Sequence, residues 1–230
     1  MKVIVACEYS GTVRDAFIAR GHGTVSCDLL PTERPGPHIQ GDIRDVDLSA
    51  FDMMVAHPPC THLAVSGAHL FKHKAKEQAE ALDFVRYLLD APVARIALEN
   101  PVSVISSQIR KPDQIIQPYW FGENASKTTC LWLKGLPLLR ETSYVPGQYA
   151  CCGAKFPESL GKYGCPNCNG ERRARLVWAN QTPSGQNKLG PSVDRWKLRS
   201  ATYQGIADAM ADQWGNIHSE RELMSMETCV

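Results

Sequence analysis

The sequence predicts an α/β protein built on a doubly wound, mostly parallel sheet. Three observations point there. Short apolar runs alternate with helical patterns through the first part of the chain, the signature of strand–helix–strand units in a parallel sheet. A chain of 230 residues with 43% hydrophobic residues and nearly balanced charge, 25 basic against 24 acidic, has the composition of one globular domain with a small insert. Clusters of polar residues directly follow the apolar runs, where the carboxyl ends of strands would present them.

Taken in order, "KVIVA" (2–6) reads as a buried strand. "GTVRDAFIARG" (11–21) reads as a helix with Val13, Ala16 and Phe17 on one face, and "TVSCD" (24–28) as the second strand. "DMMVA" (52–56) follows as another. The run 74–90 sets Ala75, Ala79, Leu82, Val85 and Leu89 at helical spacing, and "RIALEN" (95–100) is a strand stopped by Asn100 and Pro101. "TTCLWL" (128–133) adds a late strand. A closing helix over 203–214 carries Tyr203, Ile206, Met210 and Trp214 on one face. Residues 1–140 with 196–216 are expected to form the core, 141–195 a small insert rich in Gly, Pro, Cys and Arg, and 217–230 a polar tail.

A net charge of +1 gives no global attraction to nucleic acid, so any basic patch must be local. The apolar N-terminal run is too short for a signal-peptide core, and no run approaches the roughly 18 apolar residues of a membrane span. A cytoplasmic protein without membrane contact is expected. Nine cysteines in such a chain are expected to be reduced, serving as small hydrophobes, metal ligands or nucleophiles.

In an open parallel sheet ligands bind outside the carboxyl ends of the strands. After the first strand comes "CEYSG" (7–11), a turn into a helix in which Gly11 is able to take a strained backbone conformation. Asp28 follows the second strand, seventeen residues beyond Gly11, near the spacing at which a carboxylate holds the ribose hydroxyls of a nucleoside-type cofactor. "GDIRDV" (41–46) sets Asp42 on a third loop. The dinucleotide fingerprint is absent, which disfavours NAD. "HPPC" (57–60) and "ENP" (99–101) each follow a strand directly, so Cys60 and Glu99 are expected to face one cleft. A thiolate beside a carboxyl group suits attack on a pyrimidine: sulfur adds to ring carbon 6, the carboxyl group engages nitrogen 3, and carbon 5 becomes nucleophilic.

"HPPC" and "ENP" resemble the Pro-Cys and Glu-Asn-Val motifs of the DNA cytosine carbon-5 methyltransferases. "CEYSG", "SCDLLP" and "GDIRDV" are similar in place to the family's three cofactor-binding motifs, "SKTTCLWLKG" (126–135) to its basic motif, and "SATYQGIADAMADQW" (200–214) to its last. The resemblance covers about residues 1–140 and 190–215 and is nearest to short, phage- and prophage-type members. It implies a Rossmann-like methyltransferase fold that binds S-adenosylmethionine and methylates cytosine in DNA. It assigns Cys60 as nucleophile and Glu99 as the group that contacts and protonates the ring. Glu8, Tyr9, Ser10, Gly11, Asp28, Leu29, Asp42, His57 and Pro58 would form the cofactor pocket. Three departures stand out: Thr61 replaces the usual Gln, Gly11 is the sole glycine of the first motif, and Lys127, Thr128 and Thr129 replace paired arginines. The same chemistry on RNA or a free pyrimidine nucleotide, and a non-catalytic nucleic-acid-binding module, remain open alternatives.

In the insert, Cys151 and Cys152 precede "CPNC", Cys165 to Cys168, a knuckle suited to structural zinc. Two adjacent cysteines reach one ion only if the backbone bends. Behind the knuckle, Arg172, Arg173, Arg175, Arg195, Lys197 and Arg199 with Trp178 and Trp196 have the composition of a DNA-contacting surface, and Lys127 and Thr128 would add phosphate contacts. His62, His69 and His73 fall in a polar segment suited to a lid over Cys60. Oligomeric state is not legible.

Overall fold

The structure, a computed structural model, describes residues 1–163, 165, 167–168, 174–193 and 195–217. The first half alternates as expected: β1 (Lys2–Ala6), α1 (Thr12–Ile18), β2 (Gly23–Asp28), β3 (His38–Gln40), β4 (Met53–Ala56), α2 (Ala75–Leu89) and β5 (Arg95–Pro101). There follow α3 (Ile105–Gln108), β6 (Gln114–Ile116) and β7 (Thr129–Lys134), then β8 (Gln148–Cys151), β9 (Ala154–Pro157), β10 (Arg175–Val177), α4 (Arg195–Ser200) and α5 (Gln204–Gly215). Seven strands form one sheet in the order β3-β2-β1-β4-β5-β7-β6. All are parallel except β7, which runs antiparallel between β5 and β6. This mixed α/β architecture with its mostly parallel sheet is the doubly wound type that the sequence predicts.

Period-two alternation divides the strands between two cores. Val3 and Val5 of β1 and Met53 and Val55 of β4 pack on one face with Phe17 of α1 and Ile206, Met210 and Trp214 of α5. Ile4, Ala6, Met54 and Ala56 face the other way, toward Leu82, Val85 and Leu88 of α2. The buried stripe of α2 differs from expectation: Ala75 and Ala79 are exposed and Leu88 replaces Leu89, because only the last turns of the helix carry packed residues. β3 and β6 are three-residue strands that the apolar pattern does not announce. β8–β10 form a separate antiparallel sheet inside the insert. Residues beyond 217 lie outside the described residues, so the expected tail has no structural account. No helix among the described residues is long and apolar enough to cross a membrane.

The antiparallel β7 has a functional consequence. Its first residues pair with the last residues of β5, Thr129 opposite Pro101 and Leu131 opposite Glu99. The segment entering β7, residues 126–128, therefore arrives at the same rim as the carboxyl ends of the parallel strands.

Candidate active site and thiol cluster

The strand order reverses between β1 and β4, the position at which doubly wound sheets open a crevice for ligands. His57 continues β4 there, its backbone N–H donating to the Ala6 carbonyl at 2.9 Å. Asn100 Nδ2 donates to the Pro58 carbonyl at 2.9 Å, and Ala64 bridges Ser103, so the loop after β4 is fastened to the end of β5. Cys60 is exposed on that loop. Glu99 is buried, and its Oε2 lies 3.1 Å from His57 Nδ1.

Charge links these groups. Burial pushes the Glu99 carboxyl up, but the Lys127 ammonium and the His57 ring outweigh it and hold it below the usual carboxylate range. Desolvation, then the Glu99 charge, push the Cys60 thiol up, while Lys127 and Arg199 pull it down. Lys127 lines the same cleft as Glu99, and its Nζ donates to the Ala201 carbonyl at 3.3 Å. A narrow cleft between β5 and α5 is lined by Glu99, Lys127, Thr129, Thr202, Tyr203 and Ile206. Thr128 lies alongside, its hydroxyl accepting from Gln117 Nε2 at 2.9 Å.

Buried polar atoms without partners concentrate here. Among the described residues these include His57 Nε2, His62 Nδ1, Asn100 Oδ1 and Ser103 Oγ, on the end of β5 and the loops after β4 and β5. A buried polar group left unpaired costs about 1–3 kcal/mol, so these atoms call for a partner, water or ligand, at this rim. Most of the segment expected as a lid forms a 3₁₀ run, Val65–His73.

The expected cofactor residues share the rim but differ in availability. Cys7 ends β1 at φ 58°, and desolvation together with the charges of Asp28 and Asp42 raises its thiol, so both carboxylates converge there. Asp28 is half-buried, with Oδ1 accepting from the Leu30 N–H at 2.9 Å; desolvation raises its carboxyl. Leu29 beside it is 70% exposed, an apolar surface on which a flat ring could lie. Asp42 is held by Arg44, which lowers its carboxyl. Glu8 is turned inward. Its carboxylate accepts from the Val13 N–H at 2.7 Å and the Arg14 N–H at 3.2 Å, and Ser10 Oγ donates to it at 3.2 Å. The helix terminus that would receive a cofactor phosphate is filled by the protein's own carboxylate, which favours a cofactor without phosphate. Tyr9 packs against Trp196 with ring centroids 5.8 Å apart, and its hydroxyl meets Ser200 at 3.1 Å. Gly11, at φ 73°, also leaves room for the buried Arg14 guanidinium, which a Cβ there would strike.

In the insert, the Sγ atoms of Cys151, Cys152, Cys165 and Cys168 lie within 4.8 Å of one another. The adjacent pair converges because Cys152 and Gly153 form the two-residue turn between β8 and β9, both at positive φ, 50° and 79°. Cys151 Sγ is 3.5 Å from Cys152 Sγ and 3.8 Å from Cys168 Sγ. Tetrahedral zinc with bonds of about 2.3 Å requires sulfur–sulfur edges of about 3.8 Å. Desolvation and the neighbouring thiols push the Cys151 thiol up to about 12, a tendency that a central cation reverses.

The basic surface expected behind this cluster is only partly present. Arg172 and Arg173 lie outside the described residues. Arg175 donates to the Ser184 carbonyl within the insert. Trp178 is buried, stacked on Tyr119 at 3.9 Å with Nε1 bound to the Val145 carbonyl, so it is structural and not a base-stacking surface. Trp196 stays 51% exposed. The insert is fastened near the rim by Asn180, which exchanges two 2.9 Å hydrogen bonds with the Ser126 backbone, next to Lys127. A wider groove at the opposite rim, lined by Arg86, Arg110 and Lys134, has its cations already engaged by Asp83, Asp113 and the Ala91 carbonyl.

No family model matches the chain, and no curated protein matches it. Among solved structures, the chain is similar to a DNMT2 mutant of Spodoptera frugiperda, with 15% identity over 63% of this chain and 54% of that one and a TM-score of 0.39. The chain spans about half the length of that structure.

Proposed function

We propose that this chain is a methyltransferase that uses S-adenosylmethionine to methylate carbon 5 of cytosine in DNA through a covalent adduct on Cys60. The observation that carries the reading is the placement of an exposed cysteine and a buried glutamate on neighbouring strand ends, with Lys127 lining the cleft beside Glu99. Asp28, Leu29, Tyr9 and Pro58 would hold the cofactor at the crevice between β1 and β4, which, when bound, supplies an electrophilic methyl group.

Cys60 adds to carbon 6 of the ring, its thiol proton passing to the Glu99 carboxylate as the sulfur–carbon bond forms. Glu99, a carboxylate before the attack, accepts a hydrogen bond from the exocyclic amine and hands the proton taken from Cys60 to nitrogen 3. Lys127 steadies the Glu99 carboxylate and the sulfur as it loses its proton. After carbon 5 is alkylated it loses its proton to water, the sulfur–carbon bond breaks, and the proton on nitrogen 3 returns through Glu99 to the departing Cys60 sulfur. Cytosine inside a duplex has to be flipped out to reach Cys60. In the insert, Cys151, Cys152, Cys165 and Cys168 would bind one structural zinc, stapling a sheet whose own core is little more than Cys151, Phe156 and Cys165. Its attachment at Ser126 favours a role beside the flipped base.

Incubation with S-adenosylmethionine and an oligonucleotide containing 5-fluorocytosine tests the chemistry. Fluorine blocks the final elimination, so a covalent protein–DNA adduct stable to denaturing electrophoresis is expected from the native chain and none from Cys60→Ser. An adduct that persists in Cys60→Ser would remove Cys60 from the mechanism.

A further inference from the structure

His57, the residue that precedes the Pro-Pro-Cys loop, turns Nδ1 of its ring toward Glu99. Both side chains are nearly buried, 9% and 10% exposed. A carboxylate only accepts, so Nδ1 of His57 carries the proton and donates it across 3.1 Å. The backbone that carries the ring is fixed: the His57 N–H is bonded to the Ala6 carbonyl, and the next residue, Pro58, is held by Asn100. The Pro58 carbonyl also fixes the Asn100 amide, since only its nitrogen can face an acceptor. Asn100 Oδ1 is left buried and unpaired, as is His57 Nε2.

We propose that His57 is a positioning residue for Glu99, clamping its carboxylate as a fixed acceptor so that this site takes a ring edge bearing an amine. The inference rests on the cytosine reading of the site. Held in place by the His57 donor, the Glu99 carboxylate is an acceptor that complements the amine at carbon 4 of cytosine and repels the carbonyl at that position in uracil or thymine. The charged and titratable groups facing Glu99 are His57, Lys127, Cys60 and Cys130. Of these, His57 alone among the described contacts donates a hydrogen bond to the carboxylate.

The test compares native protein, His57→Ala and His57→Asn, the last keeping a donor near the Nδ1 position. Carbon-13 NMR of the Glu99 carboxyl, assigned through Glu99→Gln, gives its titration midpoint without any substrate. Loss of one hydrogen bond should raise the midpoint by about one pH unit in His57→Ala, and His57→Asn should restore it. Single-turnover transfer to a cytosine oligonucleotide should fall about a hundredfold in His57→Ala and recover in His57→Asn, with S-adenosylmethionine affinity within about twofold throughout. An unmoved Glu99 midpoint in His57→Ala overturns the inference, as does a large loss of cofactor affinity. If the native protein transfers no methyl group, the cytosine reading falls while the Glu99 titration still decides whether His57 clamps it. If His57→Ala does not fold, His57→Gln, which removes the donor at Nδ1, takes its place.

Discussion

Glu8 follows β1 directly, but its two carboxylate oxygens point back into its own chain, toward the first turn of α1. Cys7 makes that reversal possible by taking φ 58°, a left-handed conformation that costs a residue with a Cβ about 1–2 kcal/mol. A residue that reads as a cofactor ligand is therefore also a structural cap. Glu8→Ala should lower stability in urea titration by roughly 2–3 kcal/mol, since it removes two charge-assisted hydrogen bonds from buried amides. A mutant of native stability that loses only cofactor affinity would return Glu8 to the cofactor pocket. Trp178 shows the opposite case: an aromatic residue beside basic ones resembles a DNA surface in the sequence, but its stacking partner, Tyr119, is distant in the chain and invisible to local pattern.

At the scale of elements, the long apolar strands and the helices α1, α2 and α5 are legible because a buried parallel strand and a two-sided core leave periodic marks. β3 and β6 are not, since three residues carry no period, and the direction of β7 cannot be read from its own composition. That direction brings Lys127 to Glu99. The placement of Cys60 and Glu99 near neighbouring strand ends is legible because each motif lies where an apolar run stops; the His57 contact is not, because its partner lies forty-two positions further along the chain. α5 packs so closely that a Cβ at Gly205 would strike the Phe121 carbonyl, which explains glycine at its first turn. In the insert, the close thiols and small core predict one bound zinc per chain. Cys165→Ser with Cys168→Ser should reduce zinc measured by plasma emission, weaken DNA in a gel shift, and spare both S-adenosylmethionine affinity and the main sheet. Purified native protein without stoichiometric metal would refute the zinc, and normal DNA binding by the double mutant would refute its proposed role.

For the whole molecule, one doubly wound sheet brings together on a single rim what the chain disperses over a hundred residues. Asp28 and Leu29 flank the crevice between β1 and β4, Cys60, Glu99 and Lys127 lie at the next strand ends, and Asn180 fastens the thiol-bearing sheet beside them; the proposed reading gives the first group to a nucleoside-type cofactor and the second to a base. The account stands or falls on whether this rim modifies cytosine at carbon 5. Purified protein should be incubated with S-adenosylmethionine carrying a heavy-isotope methyl group and unmethylated duplex DNA, and the DNA hydrolysed to nucleosides for mass spectrometry. The account predicts heavy label in 5-methyldeoxycytidine, abolished by Cys60→Ser. Label in another nucleoside, or in 5-methyldeoxycytidine at undiminished yield with Cys60→Ser, would contradict it.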